Sequence, residues 1–140
     1  MTWETCSLRA WLNGTFADNA FSTAEKEMIL TAMAAADKNP GYSTDPGSDT
    51  ADKIFLLSIP EAEKYFANDS ARACKPTAYA EAQGAYVADN GNAEWWLRSP
   101  GSISYNAALV YYDGSVFGNG LYVYYDGSAV RPALWINLES

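Results

Sequence analysis

Histidine is absent from this 140-residue chain. Its absence removes the commonest general base and the commonest metal ligand. Cysteine is nearly absent too. Cys6 and Cys74 form no CxxC or metal-ligand spacing, and free, buried thiols are favoured over a disulfide because Cys is commonly a small core residue. Positive charge is scarce: nine Lys and Arg against 17 Asp and Glu give a net charge of -8. That balance disfavours nucleic acid, whose binding needs Lys and Arg to neutralise phosphates, and it disfavours anionic membrane surfaces. No apolar run approaches the ~20 residues of a membrane span, so no membrane insertion is expected. The opening MTWETCSLRA carries an early acid and no apolar core, unlike a signal peptide. A cytosolic protein, or a fragment of a larger exported chain, both fit.

What is present is a chain 49% hydrophobic and 14% aromatic, which argues against disorder and for one domain over residues 1–140. Leu8, Trp11 and Leu12 fall at helical spacing, and Asn13-Gly14 reads as a stop. Ser22-Thr-Ala-Glu25 is a capping-box pattern opening a second helix, with Met28, Ile29, Ala32 and Met33 in phase and an end expected near Asp37. Trp11 and Phe16 read as core packing. NPGYSTDPGSDT, from Asn39 to Thr50, is a loop; Asp45, Asp49 and Asp52 do not fit a calcium-binding EF-hand. A short buried strand over Ile54–Leu57, a helix opened by Ser58 and Pro60 and running to Phe66, and a helix over Thr77–Gln83 closed by Gly84 follow.

The remainder reads as strands, beginning with Trp95–Arg98. Two segments repeat at an interval of 13, Val110-Tyr-Tyr-Asp-Gly-Ser-Val116 and Val123-Tyr-Tyr-Asp-Gly-Ser-Ala-Val130. Each carries the Asp-Gly signal of a hairpin. Ala129, the extra residue of the second copy, suggests a bulge. Val110 faces Phe117 if the first turn has two residues, or Val116 if it is bulged. Val130–Leu138 is the expected closing strand. The fold class is α+β, with short helices packed on a small, twisted, mainly antiparallel sheet.

Catalytic readings are weak. Ser99, Ser102 and Ser104 have no histidine to activate them, and there is no nucleophile elbow. Glu61 and Glu63 are not on one helix face. Arg98 and Arg131 read as structural, pairing with acids or carbonyls. Asn13-Gly-Thr15 and Asn68-Asp-Ser70 match the glycosylation acceptor and receive no role. The informative segment is residues 101–130, where six Tyr, five Gly, four Ser and two Asn fill 17 of 30 positions. Antibody loops use the same residues: Tyr for rigid contact area, the small polar residues for adaptable hydrogen bonding. A binding role is favoured over structural filler, since sheet propensity alone does not ask for this composition.

TWETCSLRAWLNGTF, DKIFLLSIPEAEKYF, CKPTAYAEAQGAY, WWLRSPG and VRPALWINL, in this order, resemble a C-type-lectin-like domain of bacterial surface and phage-associated proteins, similar to the formylglycine-generating-enzyme fold. The likeness covers almost the whole chain. Its C-terminal segment resembles the variable region of proteins diversified by retroelements, in which adenine mutagenesis varies binding residues on a fixed scaffold. An AAC-type codon mutated at adenines cannot yield Lys, Glu, Gln, Met or Trp. None of these 22 residues lies between Ser99 and Val130, which agrees with such a segment. The calcium and sugar motifs of C-type lectins are missing, and Cys6 and Cys74 do not match the catalytic pair of the formylglycine-generating enzymes. Family members usually carry one or two strands ahead of the Trp-Glu motif, and here Trp3 stands almost at the start.

The resemblance implies a non-enzymatic recognition module with no cofactor and no metal, at a cell surface, virion or extracellular location as part of a larger protein. Its partner would be a protein or other macromolecule, with a glycan also compatible. The candidate ligand-binding residues are Tyr105, Leu109, Tyr111, Tyr112, Phe117, Asn119, Leu121, Tyr122, Tyr124, Tyr125 and Asp126, with Val110, Val123 and Val130 holding the sheet beneath. The alternative is a structural or cell-wall-attached domain whose tyrosines pack against a neighbouring domain.

Overall fold

A computed structural model describes residues 1–139; Ser140, the last residue of the expected domain, lies outside them. The chain is α+β, with short helices, a two-stranded and a three-stranded antiparallel sheet. A 3-10 turn, Trp3–Thr5, leads into α1 (Ser7–Trp11), a π-helical turn (Leu12–Phe16) and α2 (Ala17–Ala20) without a break. Asn13-Gly14 is therefore not a stop. The wider π turn places Asn13 as a clamp: its Nδ2 donates to the Ile54 carbonyl at 2.8 Å, and its Oδ1 accepts from the Lys53 and Ile54 amides. Trp11 is 47% exposed, contrary to its reading as core, while Phe16 is half-buried against the core.

The second helix, α3 (Thr23–Met28), has the expected capping box of Ser22 and Glu25 but stops nine residues short of Asp37. Beyond it the helical periodicity is overridden by pairing. Ile29 bridges to Ile136, and β1 (Ala32–Ala34) pairs with β2 (Thr50–Asp52). The apolar run Ile54–Leu57 is extended and largely buried but is not a strand. Only Phe55 pairs, with Ala133, and the carbonyls of Leu56 and Leu57 are taken by Arg98. The Val130–Leu138 segment likewise makes two isolated bridges, at Ala133 and Ile136, and no continuous ladder. Next come α4 (Ile59–Tyr65), α5 (Asp69–Arg72) and α6 (Ala78–Ala82), where Ser58, Asn68 and Thr77 cap the first turns.

The larger sheet runs β3 (Trp95–Pro100), β4 (Asn106–Val110), β5 (Val116–Tyr122). Successive side chains point to opposite faces, and here both faces are covered. Trp96 and Leu109 join a cluster with Trp3, Leu12, Ile54, Phe55 and Leu56. Trp95, Leu97, Ala108 and Val110 join the other, with Ile59 and Ala62 of α4. That is why the WWL run has no polar alternation. Two charged groups tie the surrounding segments to this core. Asp52, 1% exposed, accepts from Trp3 Nε1 (2.9 Å), Arg9 Nε (2.8 Å) and Thr50 Oγ1 (2.7 Å). Arg98 donates to the Ala35 and Leu56 carbonyls and pairs with Glu61 and Asp37.

The first Asp-Gly repeat is a hairpin turn. Val110 pairs with Val116, so the bulged alternative holds. The Tyr111 amide donates to Ser115 O and the Gly114 amide to Tyr111 O, the pattern of a three-residue loop ending in a left-handed glycine. Gly114 has φ +86°, and a Cβ there would run into the Asp69 carbonyl of α5. The second repeat forms no hairpin. Ala129 is not a bulge in a β5 partner; it bridges in parallel to Trp95, its amide donating to Glu94 O and its carbonyl accepting from Trp96. Those bonds draw the segment to the free edge of β3. Val110 is buried and Val123 half-buried, but Val130 is exposed and holds nothing beneath the sheet. Cys6 and Cys74 are free, as expected, but half-buried rather than buried.

Trp96 is 9% exposed, whereas Trp135 is 48% exposed, edge-on to Tyr65 at 6.1 Å. Trp96→Ala is therefore expected to cost about 3–5 kcal/mol, and Trp135→Ala well under half of that. Denaturant unfolding of both variants checks the ordering; equal losses would show that the C-terminal segment is core.

Candidate functional site

The tyrosine-rich segment divides into two patches and a buried portion, and strand alternation decides which residue goes where. Leu109 is fully buried and is corrected from the candidate site. It pairs with Phe117 on the face that meets the Trp3–Trp96 cluster. Phe117, Leu121 and Tyr111 lie on the same face, half-buried against that cluster.

The outer patch holds Tyr105, Tyr122 and Tyr124, 66%, 50% and 77% exposed. Tyr122 and Tyr124 stack with centroids 5.2 Å apart and planes 7° from parallel. A turn fixed by the Tyr125 amide donating to Tyr122 O sets that stack. The Val123 amide donates to Tyr105 O at 2.9 Å, joining the loop before β4 to the one after β5. Exposed Ile103 stands two residues from Tyr105, and the Met1 amino group donates to Ser104 O at 3.0 Å. Asn119 is exposed in the β5 bulge, where Ser102 and Asn119 side chains hydrogen-bond and Asn39 Nδ2 donates to Gly118 O at 2.7 Å. Behind this patch a mainly apolar cavity of about 180 Å³ runs between the N-terminal residues and the sheet, lined by Trp3, Cys6, Leu8, Leu56, Trp96 and Val123 among others.

The second patch lies at the opposite end of β4. Tyr111 stacks on Phe117 (4.6 Å, 19°) and lies 6.1 Å from Tyr112. The Asn90 and Asn92 Nδ2 groups donate to Tyr112 O at 3.1 and 3.0 Å, fixing the turn. Exposed Tyr125 and Asp126 sit on the neighbouring loop. Asp113 is held below the usual aspartate range by the Ser115 hydroxyl and amide. At the base of this patch is Glu94, a residue not among the expected ones, 8% exposed. Burial raises its carboxyl above the ordinary value. Burial, and then the Glu94 charge, also push the Tyr111 and Tyr125 hydroxyls up. No periodicity signals Glu94; it is simply the residue before the WWL run. Among the described residues no three His, Cys, Asp or Glu side chains gather as metal ligands would.

The chain belongs to the DUF6273 family, a domain of unknown function, whose model matches residues 1–138. No curated protein and no solved structure matches it. No described helix is long and apolar enough to cross a membrane.

Glu94 has a pH consequence. A carboxyl whose folded pKa is raised binds more protons folded than unfolded, so stability falls as pH rises from the ordinary 4.5 through the raised folded value. Glu94→Gln removes that penalty without changing shape. The variant is expected to be more stable than the native chain at neutral pH, with the gap closing as pH falls toward 4.5. Urea unfolding at several pH values checks it; a gap independent of pH would mean that Glu94 is not the titrating group.

Proposed function

We propose that this domain is a non-enzymatic recognition module on a C-type-lectin-like scaffold, presenting the tyrosine patch to a protein or other macromolecular ligand. The supporting observation is the stacked pair of exposed Tyr122 and Tyr124, with exposed Tyr105 on the adjoining segment whose backbone is hydrogen-bonded to theirs. Three large aromatic side chains stand out from the end of β5 and the loops beside it, whose backbones are hydrogen-bonded to each other. Exposed aromatic clusters mark interaction sites, and Tyr held on a braced loop loses little entropy on binding. The domain works at a cell surface, a virion or another extracellular setting within a larger protein. The segment 101–130 is the diversified part, and the twin signatures WWLRSPG and VRPALWINL belong to the constant scaffold.

Two measurements test this reading. Replacing Tyr105, Tyr122 and Tyr124 together with Ser is expected to abolish capture of ligand from the intact host surface. Stability should shift by only about half a kcal/mol per substitution, as for exposed residues away from packing features. A triple variant that unfolds as readily as Trp96→Ala, or that binds undiminished, overturns the recognition face. Diversification is tested separately, in the encoding DNA. A near-copy of codons 101–130 differing at adenines, close to a reverse transcriptase gene, is expected; without it the face is a fixed binder.

A further inference from the structure

Glu94 occupies a position where burial makes a carboxylate costly, and among the described residues no cation offsets that cost. It is 8% exposed, and it forms no salt bridge among the described residues. An unpaired buried charge is strongly disfavoured. Sheet register specifies what surrounds it. Trp95 pairs antiparallel with Val110 and Trp96 with Leu109, so the next step of that ladder sets Glu94 opposite Tyr111. On the other side Trp95 bridges in parallel with Ala129, which sets Glu94 beside Ser128. Ser128 is itself 9% exposed, and its Oγ has no hydrogen-bond partner. A row of Tyr111, Glu94 and Ser128 thus shares one face at the end of the sheet. Tyr112 adjoins Tyr111, and the loop bearing Tyr125 leads straight into Ser128.

We propose that Glu94, with the rings of Tyr111, Tyr112 and Tyr125, receives one organic cation, an alkylammonium or guanidinium group. Each feature of the site selects for that chemistry. The faces of aromatic rings carry negative potential and attract a desolvated cation. The carboxylate supplies the counter-charge, and the Ser128 hydroxyl supplies a further acceptor. Asp113 and Asp126 flank the patch, and the chain's net charge of -8 attracts cations from a distance. An anion would meet repulsion from all of these. The proposal assigns a ligand chemistry to part of the tyrosine-rich region and rests on the recognition reading for its role. The cation is either a free ammonium compound or a Lys or Arg side chain of a macromolecular ligand.

The test uses small probes, so it does not depend on knowing the ligand. The intact domain is titrated by NMR with choline, with its neutral isostere 3,3-dimethylbutan-1-ol, and with short peptides carrying one Lys, one Arg or neither. Saturable shifts at the Tyr111 and Tyr125 rings are expected with the cations and not with the alcohol or the neutral peptide. Glu94→Gln should weaken cation binding about tenfold or more, and retained melting behaviour will show that this variant is folded. Affinity for choline should also fall as pH is lowered from neutral toward the ordinary carboxylate value of 4.5, because burial raises the Glu94 carboxyl above that value and its protonation removes the counter-charge. The other groups facing the site are Tyr111, Tyr112, Tyr125, Tyr86, Asp113 and Asp126. Tyr111 and Tyr125 titrate above 10, and Asp113 below the usual aspartate range, outside that pH span. Choline binding without peptide binding identifies a free ammonium ligand; tighter binding of the Lys or Arg peptide identifies a side chain. Absence of saturable binding, equal binding of the alcohol, or undiminished binding by the folded Glu94→Gln variant overturns the proposal. None of these outcomes bears on the Tyr105, Tyr122 and Tyr124 patch, whose own failure would leave the cation titration unchanged.

Discussion

The guanidinium of Arg98 is the constraint on which the rest of this fold depends. It sits in β3 with its side chain 3% exposed, in contact with three separate segments. It donates to Ala35 O just past β1 and to Leu56 O in the extended apolar run. It also pairs with Glu61 in the first turn of α4 and with Asp37, which accepts from the Ser58 cap at 2.6 Å. Buried charge is tolerated only when paired and hydrogen-bonded, and removing one partner leaves the other exposed to the full desolvation cost. The extended run Ile54–Leu57 has no ladder to satisfy its carbonyls, so Arg98 supplies by side chain and amide what a neighbouring strand would otherwise supply.

Once β3 is fixed in this way, the position of the tyrosines follows from strand geometry. Both faces of β3 and most of β4 are committed to core, so the exposed tyrosines cannot stand on those two strands. They stand where the strands end. Tyr105 precedes β4, Tyr122 ends β5, and Tyr111 and Tyr112 form the turn between them. The bulge in β5 adds to this. From Ala107 to Leu109 the partner strand runs from Leu121 back to Phe117, four residues against two, which pushes Asn119 outward. Gly120, at φ +79° and with the Ala107 carbonyl where a Cβ would lie, makes that bulge possible.

Sequence reasoning located what local chemistry controls and missed what pairing controls. The capping box at Ser22, the helix start at Ser58 and Pro60, the Thr77 helix, β3 and the first Asp-Gly hairpin were legible because each is decided within a few residues. The helix expected through Asp37 and the closing strand at Val130–Leu138 were not, since partners far away in the chain decide them: Ile29 with Ile136, Phe55 with Ala133. The two Asp-Gly repeats make the point within one motif. The first has β4 and β5 on either side and turns; the second meets a free edge of β3 and is drawn across to it. For the candidate site, composition pointed to a segment that does carry exposed tyrosines, but faces were beyond reach because register was. Leu109 was thereby included wrongly and Glu94, outside the segment, was overlooked.

Many of the bonds that anchor the tyrosine loops are between backbone groups. Val123 N donates to Tyr105 O, Ser102 N to Asn119 O, Gly101 N to Asn106 O, Ala129 N to Glu94 O and Trp96 N to Ala129 O. Such bonds do not depend on which side chain a position carries. A surface held in place this way can exchange Tyr for Ser, Asn or Asp at exposed positions without disturbing the scaffold. The same logic sets the limits of exchange. Gly114 and Gly120 answer to backbone close approach, and Leu109, Phe117 and Leu121 to core packing. The positions free to vary are therefore fewer than the segment's composition suggests, and they gather in the two patches at the strand ends.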